Sequence, residues 1–265
     1  MKGKEPDAVR PMRRLKALAA RGFYLHLNPQ KKQLIDLAFN EVQPRPRSFA
    51  DLGSVWRVQS AYTFFTLDIH RPERAVHVDL NFTDEVLRRL RRYQNLETIV
   101  GSLGDPAIVD KVGQVDIVYL FDVLLHQVKP DWDEVLRLYA PNTSCFAIYN
   151  QQNVAFDRTV RLLDLSDSEY WNNVPQSHRS VAEYERIFEK LDESCSLEPD
   201  RTWRDSHSLW QWGITDRDLC KRLETLGFQM KYYRNCGRFQ GLANVENHMF
   251  LFKKSGDAGG HSCAR

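Results

Sequence analysis

The residues with the most chemical promise stand just past short apolar runs. FADLGS supplies Asp51 and Gly53, AVHVDL supplies Asp79, ETIVGSL supplies Ser102 and Leu103, VDIVYLF leads into Phe121 and Asp122, and CFAIYN ends on Tyr149 and Asn150. A glycine just past a strand lets backbone approach a ligand, and an acid ending the next strand can accept hydrogen bonds from both hydroxyls of a ribose. Asp79 is best placed for that acid; capping the helix behind it is the competing use. Two histidines, His126 and His207, are candidate general bases, because imidazole is the side chain type best suited to moving a proton near neutral pH. Around His207 the run DSHS holds aspartate, serine and histidine, but no nucleophile-elbow glycines accompany them, which argues against a hydrolase triad.

These positions are useful only if the chain brings the strand ends together. Leu34, Ile35, Ala38, Phe39 and Val42 form one apolar stripe of a helix that ends before PRPRS. After FADLGS, the residues Val58, Ala61, Tyr62, Phe65 and Ile69 follow at helical spacing. Thr83 caps the next helix, with Asp84 and Glu85 in its positive first turn and Arg88, Arg89, Arg91 and Arg92 towards its negative end, so those arginines read as a solvated helix face. Trp132, Val135, Leu136 and Tyr139 mark a later helix. Five strand-helix units in a row predict a parallel sheet covered on both faces by right-handed crossovers, which makes the class α/β. In such a sheet ligands bind at the carboxyl ends of the strands, near the point where strand order reverses.

Two stretches break the alternation. At the end, Thr215 and Asp218 read as a capping box for DRDLCKRLETL, Gly227 stops that helix, and FQMKYYR and HMFLFKK alternate as a strand pair. From about 154 to 213 no strand-helix unit fits. A capping box at Ser180 and Glu183 with Val181, Tyr184, Phe188 and Leu191 behind it predicts a helix there, and Trp171, Trp203, Trp210 and Trp212 all fall in this insertion. A long excursion rich in tryptophan suits a lid over the strand ends.

Composition bounds the partners. The 265 residues carry 37 Lys+Arg against 35 Asp+Glu, a net +2 that lends no support to a large phosphate-binding face. No apolar run approaches the ~18 residues that a transmembrane helix needs. Residues 1–30 form a basic arm without a secretory apolar core, 31–255 one domain, and 256–265 a tail read as disordered. Cys145, Cys195, Cys220, Cys236 and Cys263 lie far apart, with no C-x-x-C and no zinc spacing, so free thiols, no metal and a reducing cytoplasmic setting are expected.

The runs FADLGS, VHVDL, VGSLGDP and VDIVYLFDVLLHQV, followed by a helix and CFAIYN, resemble in order and spacing the class I S-adenosylmethionine-dependent methyltransferases over about residues 48–152. The ending ITDRDLCKRLETLGF with HMFLFKK looks like that family's last helix and antiparallel strand. The resemblance implies a Rossmann-like, mostly parallel seven-stranded sheet with an antiparallel edge strand, on which the insertion over about 154–213 is expected to sit as a helical lid. It also implies S-adenosylmethionine as cofactor and a small or medium-sized methyl acceptor. Matched position by position, it implies cofactor contacts from Asp51, Gly53, Ser54, Asp79, Leu80, Ser102, Leu103, Phe121 and Asp122. His126 falls where a base could face the methyl group; His207 is a second choice, and Asn150 could orient the acceptor.

Departures accompany the match. Where the family reads D-x-G-x-G-x-G, this chain has Val55 and Arg57 in place of the later glycines, and valine resists φ > 0. Ser102 stands where an adenine-facing aspartate is usual, with Asp105 near enough to substitute. Either the turn takes another path or cofactor binding is lost, so the rival reading is a non-catalytic binding or regulatory protein. The same missing glycines argue against a nicotinamide dehydrogenase. Nucleic-acid methylation rests only on the basic arm and the arginine cluster.

Overall fold

The computed structural model describes residues 24–55 and 58–255. Its first helix, α1 (Pro29–Glu41), is started by the Asn28 side chain, which accepts from the Gln30 and Lys31 N–H groups, and by a proline in its first turn. There follow β1 (Ser48–Leu52), α2 (Ala61–Ile69), β2 (Arg74–Asp79), α3 (Asp84–Leu90), β3 (Leu96–Val100), α4 (Pro106–Val112), β4 (Val115–Phe121), α5 (Trp132–Tyr139) and β5 (Thr143–Asn153). After the insertion come α6 (Asp216–Thr225), β8 (Phe228–Arg238) and β9 (Val245–Lys254). Within the insertion, β6 (Val160–Arg161) pairs with β7 (Trp212–Gly213) and closes its base.

The described residues form a seven-stranded sheet in the order β3-β2-β1-β4-β5-β9-β8. The first five strands are parallel; β9 opposes β5, and β8 opposes β9, so the antiparallel departure sits at one edge as expected. Strand order reverses between β1 and β4, the place where an open parallel sheet leaves a crevice. Ladder bonds set the strand ends level: Gly53 donates to the Val78 carbonyl at 2.8 Å, Gly101 to Asp79 at 2.9 Å, and Asp122 to Tyr149 at 2.8 Å.

Period-two burial divides the core. From β4, Val118 and Leu120 face a layer with Val109, Val135, Leu136, Leu219 and Leu223, while Ile117, Tyr119 and Phe121 face Leu34, Ile35, Phe64 and Phe65 on the other side. Each fully buried side chain of this size contributes about 1.5–3 kcal/mol. Tyr24 and Leu27, placed in the basic arm by sequence, are buried in this second layer ahead of α1. The Arg89 guanidinium lies 4.0 Å from the Phe64 ring centroid, which gives one arginine of the α3 cluster a packing role.

Three expectations change. The helix over 181–191 is absent: two short 3-10 turns, Ala182–Tyr184 and Ile187–Glu189, stand there, and Arg186 between them has φ 53°, incompatible with one continuous helix. Helix α2 starts at Ala61, three residues after Val58, behind Ser60 in the left-handed region. Thr215 caps α6, but the Asp218 side chain turns away to accept the Thr159 N–H at 2.6 Å, so the box is half made. The insertion holds its own core of Leu162, Leu163, Tyr170, Ile187, Leu191 and Trp203. Its regular helix is limited to Asp167–Asn172, with a complete Ser166/Glu169 capping box, and Gln176–Arg179. Among the described residues no helix is long and apolar enough to cross a membrane. The arm before residue 24, Trp56, Arg57, Cys263 and the tail from 256 lie outside the described residues.

Candidate functional site

A cavity of ≈ 760 Å³ opens at the β1/β4 reversal and runs under the insertion. Its first half is walled by Gly53, Ser54, Asp79, Leu80, Ser102 and Leu103, and its second by His126, Tyr184, His207, Trp210 and Phe239. A hollow of ≈ 400 Å³ lies elsewhere, among Arg45, Arg47, His70 and Arg71, beside the opposite ends of the strands.

The turn after β1 is built by Gly53 and Val55. Gly53 has φ +76°, and a Cβ there would come within 2.9 Å of Val123, so only glycine fits. Val55 is buried in the core, and its N–H donates to Asp79 Oδ2 at 2.8 Å. Val55 therefore does not supply a left-handed backbone there; among the described residues the next left-handed ones are Gln59 and Ser60, just before α2. Asp79 also accepts from the Leu80 N–H at 2.8 Å and from the Asn81 backbone. Burial raises its pKa, and those three N–H groups work to lower it. A carboxylate offers about four lone-pair sites, so one remains for a ligand hydroxyl.

Asp51 stands beneath this turn and outside the cavity lining. It is fully buried, accepts from Ser54 Oγ at 2.9 Å and Thr63 Oγ1 at 2.5 Å, and its Oδ1 has no partner among the described residues. Burial pushes its pKa up to about 6. Ser54 Oγ also lies 3.2 Å from His77 Nε2; burial holds that imidazole down at about 3, so it is neutral. Asp105, the sequence candidate to replace an adenine-side acid, instead caps α4 through the Ala107 N–H at 2.8 Å and is not part of the lining.

After β4, Phe121 lies in the wall and Asp122 follows with φ 59°. The Asp122 carboxylate forms an ion pair with Lys31 through one oxygen and accepts Gln151 Nε2 at 2.8 Å through the other. The Lys31 ammonium lies 5.0–5.9 Å from the ring centroids of Tyr62, Phe121 and Tyr149. Lys31 and Gln151 escaped the sequence reading, although a lysine in the first turn of a helix is an oddity that could have flagged the first.

His126 lines the cavity from the 3-10 turn Leu124–His126. Its Nδ1 lies 2.8 Å from the Leu209 carbonyl, which can only accept, so Nδ1 carries the proton and Nε2 the lone pair. Burial lowers the His126 pKa and favours this neutral form. The Leu209 segment is stapled to the same turn twice more: Gln211 N–H to the Leu125 carbonyl at 3.0 Å and Trp212 Nε1 to the Gln127 carbonyl at 2.7 Å. The insertion thereby fixes the tautomer of a residue that β4 positions.

His207 also reaches the cavity, with Nδ1 3.3 Å from Glu198. Burial works to raise the Glu198 pKa, but hydrogen bonds from His207 and Ser206 outweigh it and bring the carboxyl to about 2. Asn150 is not brought to the site: its side chain is fully buried and donates to the Gln151 carbonyl, and alternation along β5 turns Gln151 to the cavity instead. Of the four tryptophans only Trp210 lines the cavity; Trp203 packs inside the insertion, and Trp171 donates to Asp167 at 2.8 Å. Among the described residues no cluster of His, Cys, Asp or Glu could hold a metal ion.

No family model matches the sequence, and no curated protein matches it. Solved structures do match. A 1,6-didemethyltoxoflavin-N1-methyltransferase from Burkholderia thailandensis, solved with 1,6-didemethyltoxoflavin and S-adenosylhomocysteine, is 11% identical, with TM-score 0.51 over 96% of this chain and 93% of that one. An O-methyltransferase family protein from the same organism is 14% identical with TM-score 0.47; 86% of this chain matches, spanning 57% of that protein's length. Magnesium protoporphyrin IX methyltransferase from Synechocystis PCC 6803, solved with bound S-adenosylmethionine, is 9% identical with TM-score 0.48, over 96% and 87% of the chains. The first of these likenesses establishes the fold, a Rossmann-like, mostly parallel seven-stranded sheet.

Proposed function

We propose that this protein transfers a methyl group from S-adenosylmethionine to a small or medium-sized acceptor. The observation that carries the reading is the single cavity that runs from the β1/β4 reversal, with an acid at the end of β2, to a compartment closed by the insertion. The toxoflavin-precursor enzyme of the same fold was solved with a demethylated cofactor and a small heteroaromatic molecule, which agrees in kind.

The donor set fits the cofactor. Asp79 keeps an open site for a ribose hydroxyl, Leu80 and Leu103 offer apolar walls for a base, and Lys31 with Asp122 present adjacent opposite charges. When bound, the cofactor supplies an electrophilic methyl group on a sulfonium. The chain's own contribution is positioning and exclusion of water. His126 Nε2 takes the acceptor's proton, helped by a neutral resting state and a tautomer fixed by Leu209. His207, oriented by Glu198, is the second base, and Tyr184, Trp210 and Phe239 form the wall against which an acceptor ring packs. We place the protein in a reducing, cytoplasmic setting, in keeping with Cys145, Cys195, Cys220 and Cys236 being unpaired, and infer no nucleic-acid partner.

Titration with S-adenosylmethionine and S-adenosylhomocysteine is the test: saturable binding of both is expected, and tritiated methyl transfer to a panel of phenols and heteroaromatic amines follows. A second reading, a non-catalytic relative, draws on the Val55 N–H occupying Asp79. No binding at millimolar cofactor would favour it.

A further inference from the structure

Lys31 is costly where it stands. It lies in the first turn of α1, where the helix dipole disfavours a cation, and its side chain is only 8% exposed. An ammonium has three donors, and among the described residues only Asp122 accepts from this one. Its counter-ion Asp122 is 39% exposed towards the cavity, so the buried ammonium is paired with a carboxylate that a ligand can reach. Both partners line the cavity, and Lys31 is the only lysine or arginine among the described residues to do so.

We propose that Lys31 and Asp122 form a clamp for the α-amino-acid end of the cofactor, Lys31 taking its carboxylate and Asp122 its ammonium. This rests on reading the cavity as an S-adenosylmethionine site. An amino-acid zwitterion presents one charge of each sign side by side, the complement of this pair. Nearby backbone cannot replace Lys31, because the Gly53 and Val55 N–H groups are spent on Val78 and Asp79. Each member is held in place independently of the other. Gln151 grips the second Asp122 oxygen, and the faces of Tyr62, Phe121 and Tyr149 surround the ammonium. Asn28 orders that cage, donating from its backbone to the Tyr62 hydroxyl at 3.2 Å and from its side chain to that of Tyr149 at 3.4 Å. A ligand can therefore part the pair without either group losing all its partners.

Calorimetric titration with S-adenosylhomocysteine and with 5′-methylthioadenosine, which lacks the amino-acid end, tests the clamp without any turnover. In the wild type the former binds more tightly. Lys31→Met should weaken it about 10- to 100-fold while leaving 5′-methylthioadenosine within about threefold, as loss of a charged hydrogen bond requires. Asp122→Asn should do the same, and it decides the matter if Lys31→Met loses its folded far-UV spectrum. Equal wild-type affinity for the two ligands, or a variant that weakens both alike or neither, overturns the clamp and leaves the cofactor reading intact. If the wild type binds neither ligand, both fall together.

Discussion

Asp79 has two duties at once, since it anchors the turn through Val55 and keeps one acceptor site towards the cavity. Asp79→Ala should weaken S-adenosylhomocysteine binding by about 1.5–3 kcal/mol, the range of a hydrogen bond to a charged group. If the folded variant binds as well as the wild type, the ribose assignment is wrong. Beneath it, Asp51 and His77 pull stability in opposite directions with pH. The Asp51 pKa is raised to about 6, so its contribution is present below the ordinary carboxylate value and is lost as pH rises from about 4 to 6. The His77 pKa is lowered to about 3, so its contribution is present above the ordinary imidazole value and is lost as pH falls from about 6.5 to 3. Asp51→Asn should remove the first slope, raising stability at pH 7 by roughly 2–3 kcal/mol, and expose a steeper acid loss from His77. Urea melts of both proteins between pH 4 and 8 measure this; parallel curves would contradict it. For His126, burial favours the neutral ring and outweighs the Leu209 carbonyl, which works to raise the pKa, so an NMR titration of its ring protons should show a midpoint below the ordinary 6.5.

At the scale of elements, the site depends on the insertion gripping the turn after β4. Three bonds join residues 209–212 to 125–127, from His126 Nδ1, Gln211 N–H and Trp212 Nε1. Trp212→Phe removes the last and should cost about 1–2 kcal/mol while leaving cofactor affinity unchanged, because no cofactor-side residue is touched. Trp210 belongs both to the insertion's core and to the cavity wall. Trp210→Ala should therefore lower stability by about 3–5 kcal/mol and also weaken acceptor binding beyond what the stability loss accounts for. An unchanged unfolding midpoint would remove Trp210 from the core; unchanged acceptor affinity would remove it from the wall. The expected helix over 181–191 failed because its apolar spacing fits two 3-10 turns packed on Trp203 and Tyr170 as well as it fits one helix, and Arg186 breaks the path.

For the whole molecule, a ligand that binds only the folded state raises its stability by mass action, about 2.7 kcal/mol at a hundredfold excess over Kd. For a domain of this size that corresponds to a midpoint rise of about 5–10 °C with S-adenosylhomocysteine. The rise should grow with the logarithm of concentration; a flat response at millimolar ligand would return the molecule to the non-catalytic reading.

The sequence by itself determined the alternation, the identity of the strand ends and the place of the insertion, because period-two and helical patterns are local and glycine and acid at a strand end read directly. It also located the departure at Val55, but whether that turn could still form was beyond its reach. Only the tertiary structure decided that Val55 turns inward and spends its N–H on Asp79. It alone replaced Asn150 with Gln151, since register in β5 decides which face each residue meets. Lys31 and Asp122 stand 91 positions apart, and His126 and Leu209 stand 83 apart. No local pattern encodes such pairs; they exist because parallel crossovers and the long insertion return distant segments to one end of the sheet.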